Sequence, residues 1–359
     1  MKKKLLLGCG AFLLFAVITV IALLASGPGR QLTEFVGYII ETDEPDIPDT
    51  PALIAYLEAH PDRYALAAWE VGREDAGIFH DADSLWPLAS TVKIIPIALA
   101  SEEIAAGRWD PTTPTPEVEN FYLAGTDGNA HPEASVDGGT ATIAGALHGM
   151  IRWSDNAATD AILFRLGRER LTSTTPGLPT PHPLSGTMLL SNDGFTLDSG
   201  VNVDDAAWAR AGQLAANPPG TTPPAPPFVA MREQVRMTRE LDNKGSARAF
   251  AQLIERIFLD ESEKTAVARK ELQWPMEFQG NLNAFKVFGT KGGSLAGTLT
   301  SATYMEDTRG NRRVVALFLH DIPFATWMGL MSNYLQQDLE RELLTEDGAI
   351  ERLRPRLGK

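Results

Sequence analysis

The stretch LWPLASTVKIIPIALA, residues 85–100, most restricts the folds open to this chain, because it sets one lysine, Lys93, inside an apolar run. A helix over residues 90–107, ended by Gly107, would carry Lys93 into a core. Desolvation disfavours a buried ammonium, so it must find partners or lose its proton. Ser90 lies three residues earlier, one turn away on the same face, with its hydroxyl at the positive end of the helix dipole. A neutral lysine amine at that place can take the proton of the serine hydroxyl. The plainer reading makes Ser90 a helix cap and Lys93 a snorkelling side chain. A chain of this length holds about one SxxK by chance, so the motif needs company.

The N-terminus differs from the rest. Lys2, Lys3 and Lys4 precede an uncharged apolar run from Leu5 to Ala25, and as a helix that run spans about 31 Å, the hydrocarbon thickness of a bilayer. The lysines favour a cytoplasmic stub at residues 1–4, a signal-anchor at 5–25 and an extracytoplasmic remainder. The competing reading is a cleaved secretory signal, but Leu23 stands where cleavage after Ala25 would want a small residue. Residues 26–50, which include ETDEPDIPDT, read as an acidic linker. Cys9 is the only cysteine, which excludes an intrachain disulfide and a cysteine-based zinc cluster, so the fold stands on its hydrophobic core. A formal charge of −14 argues against a nucleic-acid partner.

A folded domain is expected over residues 51–345, followed by a tail at 346–359. It opens with a short helix at 51–60 and a hairpin at 63–72 and 76–81, then turns helical at 90–107, 142–152 and 156–166. Proline-rich loops at 174–186 and 217–228 precede a helix at 246–259. Three strands follow, NAFKVFGTKGG, TLTSATYMED and RRVVALFLHD, and then an amphipathic helix at 325–345. The order predicts an α/β (α+β) fold: one antiparallel sheet flanked by helices, a mostly helical second lobe, and a cleft between them.

Two further motifs join Ser90 and Lys93. Ser154, Asp155 and Asn156 form SDN in a break between two helices, and Lys291, Gly292, Gly293 and Ser294 lie in a strand. Singly, SDN is a good helix cap and a strand lysine an ordinary solvated edge. SxxK, SDN and K[TS]G in this order mark the penicillin-recognising serine hydrolases, including class A β-lactamases and penicillin-binding proteins, and the chain resembles that superfamily over about residues 51–345.

The resemblance implies a β-lactamase/penicillin-binding-protein-like fold and assigns roles. Ser90 looks like the nucleophile, Lys93 like its base and Ser154 like the relay of a proton to the leaving group. Asn156 would hold the substrate amide and Lys93. Lys291 would supply positive charge near a substrate carboxylate, and Gly293 and Ser294 would line the substrate, with the N–H groups of Ser90 and Ser294 as the oxyanion hole. The substrates implied are small molecules or cell-wall peptides, β-lactam or D-alanyl in type, cleaved without a cofactor.

The chain also departs from that pattern. Class A enzymes carry a deacylating glutamate in a loop between SDN and the late strands, and no glutamate occurs here from Leu171 through Arg232. Glu169 is at a helix end, and Asp193 is the nearest carboxylate along the chain that could replace it. Gly292 stands where the family has a hydroxyl for the substrate carboxylate, with Thr290, Ser294 or Thr298 as compensation. These features resemble a branch that shares the class A domain without its glutamate. An esterase on a non-lactam substrate and an acylated sensor with little turnover are therefore the alternatives. The six histidines, His60, His80, His131, His148, His182 and His320, form no pair at ligand spacing, so no metal site is expected.

Overall fold

Strand-forming sequence from the two ends of the domain meets in one sheet. The computed structural model describes residues 47–118, 121, 141–172, 175–183, 202–216 and 231–358. The apolar run at 5–25, most of the acidic linker, Asp193 and all of the second proline-rich loop lie outside these residues. No helix among the described residues is long and apolar enough to cross a membrane.

In chain order the elements are α1 (Thr50–Ala59), β1 (Tyr64–Glu70), β2 (Ile78–His80), β3 (Trp86–Pro87), a 3₁₀ turn (Ala89–Lys93) and α2 (Ile94–Ala105). Helices α3 (Ile143–Arg152), α4 (Asn156–Leu166), α5 (Arg168–Leu171), α6 (Val203–Ala216) and α7 (Met231–Glu240) follow. Next come β4 (Lys244–Gly245), α8 (Ala247–Leu259), α9 (Glu263–Leu272), α10 (Gln279–Ala284), β5 (Phe285–Leu295), β6 (Thr298–Asp307) and β7 (Arg312–Leu319). The chain closes with α11 (Phe324–Ser332), α12 (Leu335–Thr345) and α13 (Ala349–Leu357).

The main sheet is antiparallel throughout, in the order β2-β1-β7-β6-β5, which leaves β5 at an edge. Successive strand residues point to opposite faces, and both faces are apolar. Ala65, Ala67 and Trp69 of β1 join Ala316 and Phe318 of β7 under α8 and the helical lobe. Tyr64, Leu66 and Ala68 join Val315, Leu317 and Leu319 under the helices of the two chain ends. The polar side chains expected to alternate outward are therefore scarce in β1 and β7, because both faces are covered.

Three boundaries differ from the sequence expectation. The helix expected over 90–107 is a 3₁₀ turn followed by α2. Pro96 has no N–H to donate, so it is accommodated in the first turn of an α-helix starting at Ile94, and the residues before it close tighter i→i+3 bonds such as Thr91 N–H to Leu88 O at 3.0 Å. The helix expected at 325–345 breaks at Tyr334, whose φ of 55° turns the chain so that Leu330 of α11 and Leu335 and Leu339 of α12 all reach the core. The segment expected as a tail forms α13, with Ile350, Leu353 and Leu357 buried in the same core as α1, and the Tyr64 hydroxyl donates to Leu357 O at 3.2 Å.

Helix α12 also carries a buried acid to the sheet. The Ser301 hydroxyl donates to Glu340 Oε1 and Thr303 Oγ1 to Oε2 at 3.4 Å, while Gln336 Nε2 donates to Ser301 Oγ at 3.0 Å and to Leu317 O at 3.2 Å. Burial pushes the Glu340 carboxyl up from 4.5 to about 7, against the lowering effect of these hydrogen bonds. A raised folded-state pKa means that the folded chain holds this proton more tightly than the unfolded chain. The associated stability is full below about pH 4.5 and is lost as pH rises through about 7. Glu340→Gln is expected to shrink the loss of unfolding free energy between pH 5 and pH 8 by up to about 3 kcal/mol. Denaturant melts at the two pH values measure that difference.

Candidate active site

Lys93 solves its burial with three oxygens brought by one loop. It is fully buried, and its Nζ donates to Ser154 O at 2.6 Å, Ser154 Oγ at 3.2 Å and Asn156 Oδ1 at 2.5 Å. The loop can present these oxygens because Asp155 takes the capping role: its Oδ1 accepts the Ala158 N–H at 2.8 Å at the start of α4. Ser154 sits in the left-handed region at φ 59°, a conformation that costs a non-glycine residue about 1 kcal/mol or more. The SDN tripeptide is thus a cap and a lysine-binding loop at once, with the duties divided among its residues.

The second lysine comes from the sheet. Lys291 on β5 is 4% exposed, and its Nζ donates to Ser154 Oγ at 3.0 Å and to Gly292 O at 2.7 Å. One hydroxyl therefore bridges two buried amines. Burial, and then the charge of neighbouring Lys93, hold the Lys291 ammonium well below the ordinary lysine range. Two full ammonium charges on one buried hydroxyl are disfavoured, so Lys291 gives up its proton more readily than an ordinary lysine.

Ser90 is positioned from both sides. In the 3₁₀ turn three residues make one full turn, so Ser90 and Lys93 lie on the same side. The turn is locked to the sheet by Thr300 Oγ1, which donates to Leu88 O at 2.6 Å and lies 2.9 Å from Thr91 Oγ1. At Gly293 the strand comes so close that a Cβ would meet Ser90 N at 2.5 Å and Thr300 Oγ1 at 2.7 Å. Only glycine fits there, and this contact brings Ser294, the next residue, to the Ser90 turn. Ser90, Ser154, Asn156, Gly293 and Ser294 line one cleft of about 1120 Å³.

Asp242 lines the same cleft and has no counterpart in the sequence expectation. Strands β3 and β4 pair Trp86 with Gly245 and Pro87 with Lys244, which sets residues 241–243 beside the Ser90 turn. Asp242 Oδ2 accepts the Ala89 N–H at 2.7 Å, holding Ala89 at a left-handed φ of 45° immediately before Ser90. Burial raises its carboxyl to about 6, against backbone N–H groups that lower it. His182 pins this segment: its ring bonds Leu241 O at 2.9 Å and lies 3.0 Å from Asp204 Oδ1, and its N–H donates to Asn243 Oδ1 at 2.9 Å. Glu169 lies in α5, and among the described residues no group of three or more His, Cys, Asp or Glu could hold a metal ion.

Residues 51–322 match the family model described as "Beta-lactamase enzyme family". The chain belongs to the β-lactamase enzyme family. It is accordingly a serine hydrolase of the β-lactamase and penicillin-binding-protein type. No curated protein matches it. Similar solved structures include a β-lactamase from Sphaerobacter thermophilus DSM 20745, at 17% identity and TM-score 0.49, covering 83% of this chain and 98% of that one. A mutant of PBP-A in an acyl-enzyme complex with penicillin G is 15% identical with TM-score 0.47, over 83% of this chain and 100% of the other. A β-lactamase from Burkholderia vietnamiensis is 14% identical with TM-score 0.46, over 80% and 96%.

Within this β-lactamase-family site, Gly293→Ala is expected to slow labelling of Ser90 by a serine-directed fluorophosphonate by about 100-fold, because the added Cβ would displace the Ser90 backbone. Asp242→Ala should leave the Ala89 N–H without an acceptor, cost about 1–3 kcal/mol of stability and slow labelling. Asp242→Asn, which keeps an oxygen for that N–H, should restore most of both. Thermal melts and labelling kinetics on the same samples separate the effects.

Proposed function

We propose that Ser90 is the nucleophile of an acyl-enzyme reaction that cleaves an amide or ester of the β-lactam or D-alanyl peptide type. The observation that carries this reading is the convergence of Lys93 and Lys291 on Ser154 Oγ beside the Ser90 turn. The Ser90 hydroxyl attacks the substrate carbonyl while the Lys93 amine takes its proton. The N–H groups of Ser90 and Ser294 receive the developing oxyanion. Ser154 hands its proton to the departing nitrogen or oxygen and is resupplied through the amines it bridges. Asn156 orients the substrate amide and Lys93, and water then attacks the ester on Ser90 and releases the acid.

The second half of the cycle is the slow one in this reading. No glutamate occurs from Leu171 through Arg232 to activate the deacylating water, which favours a long-lived acyl-enzyme, as in a penicillin-binding enzyme or an acylated sensor. Gly292, lacking a hydroxyl, favours a non-lactam ester as the alternative substrate. The enzyme would work outside the cytoplasm of a bacterial cell, held at the membrane by residues 5–25, because three lysines precede that apolar run.

Intact mass followed over time with penicillin and with a chromogenic cephalosporin tests this reading. A Ser90-dependent adduct that persists for minutes or longer is expected, with Ser90→Ala forming none and losing turnover by about 10³-fold or more. Absence of an adduct with either compound and with neutral esters, in protein that melts cooperatively, would overturn it.

A further inference from the structure

The cleft does not end at the nucleophile. It continues around the exposed edge of the sheet, because its lining includes residues from both faces of β5. Gly293 belongs to the face toward Ser90, whereas Thr290 and Ser294 belong to the face toward α11 and α12, as their bonds to Thr303 Oγ1 (2.8 Å) and Met331 Sδ (3.0 Å) show. Gly292 borders the cleft between these faces. A Cβ there would meet only Thr300 O, at 3.5 Å, and otherwise open space. The glycine is not required by crowding, as at Gly293; it leaves the edge uncovered.

On the far side the lining sets apolar side chains, Phe288, Leu299, Met331 and Leu344, around a polar strip that ends in an acid. Ser301, Thr303, Gln336 and Glu340 all border the cleft. The partners of Glu340 are hydroxyls, from Ser301 and Thr303. Among the described residues no cation pairs with it, and the adjacent Arg341 guanidinium donates to Asp338 instead. A carboxylate buried beside a cleft without a counter-ion costs stability in its charged form, and a cation from a ligand would offset that cost. The side from which it is reached is set by Ser154. Its hydroxyl touches Lys291, the residue before Gly292, so the part of a substrate that crosses at Gly292 is the part that receives the Ser154 proton.

We infer that the far side of the β5 edge is a second subsite of this cleft, in which Glu340 takes an amino group carried by the leaving group of the substrate. The subsite rests on the acyl-enzyme reading above and narrows its substrate class. An ammonium would be received by Glu340 and the hydroxyls around it, whereas a carboxylate at the same place would face that acid, and Arg341, the cation that borders this side, is already paired with Asp338. Any carboxylate on the substrate would then stay on the near face with Lys291.

Three esters sharing one acyl group test this, with leaving alcohols that end in an ammonium, a methyl or a carboxylate at matched length. The full-length protein is expected to form the Ser90 adduct about tenfold faster from the ammonium ester than from the carboxylate ester. Glu340→Gln should collapse that ratio toward one, and Gly292→Val, which adds a side chain at that edge, should do the same with Glu340 intact. Equal wild-type rates, or a preference surviving both substitutions, would overturn the subsite while leaving the acyl-enzyme chemistry standing. Absence of a Ser90 adduct with all three esters and with penicillin would overturn that chemistry and the subsite with it. The wild-type ratio decides even where a variant fails to fold.

Discussion

Two buried lysines that share one serine hydroxyl are the constraint around which the rest of the molecule is arranged. Taking an ammonium out of water costs several kcal/mol unless partners replace the lost hydration. Lys93 finds them on the loop before α4, and Lys291 on that same loop and its own strand. Neither lysine is satisfied by its local sequence. The helical lobe must therefore close on the sheet edge for either to be tolerated, which couples folding to assembly of the site. The strained backbones follow from the same demand. Ser154 is left-handed because its carbonyl and its hydroxyl both serve Lys93, and Ala89 is left-handed where the Ser90 turn is clamped between Asp242 and the sheet.

What the primary structure disclosed, and what it hid, divides along the range of the interactions. The strand TLTSATYMED is legible residue for residue as β6, and helix α4 as expected at 156–166, because turn residues and caps are local. The approach of Ser90, Ser154 and Lys291 was legible only through the joint order of three motifs, each of which has an ordinary structural explanation. Asp242 was hidden. Its contact with Ala89 depends on a two-residue ladder between Trp86–Pro87 and Lys244–Gly245, too short to leave a periodic signal. The 3₁₀ turn at Ala89–Lys93 was hidden because its composition is helical; the signal was Pro96, which moves the start of the α-helix rather than breaking it. The left-handed Tyr334 had no signal, since tyrosine is not a residue that marks such a turn.

The two glycines of β5 show why a motif is better read through space than through letters. Gly293 is needed because the Ser90 turn occupies the volume a side chain would take, and Gly292, one residue away and facing the other side, has room to spare. A lost hydroxyl at Gly292 looks in the sequence like a simple defect in substrate recognition. In three dimensions it opens a way past the edge strand to polar side chains of β6 and α12, so a subtraction at one position alters what the opposite face of the sheet can contribute.

The order of strands has a consequence for how such a protein comes into being. Strand β1 at Tyr64–Glu70 is flanked by β2 and by β7 at Arg312–Leu319, so the centre of the sheet joins segments separated by most of the domain. Closing so long a loop carries a large entropic cost before any contact rewards it, and topologies dominated by distant pairings fold slowly. A chain emerging from its N-terminus leaves β1 with β2 alone to pair with until β7 has followed, and Ser90 lacks Lys291 for nearly as long. The grouping of Ser90, Ser154 and Lys291 is therefore a property of the finished chain, because the late strands must join the sheet before the cleft is lined on both sides.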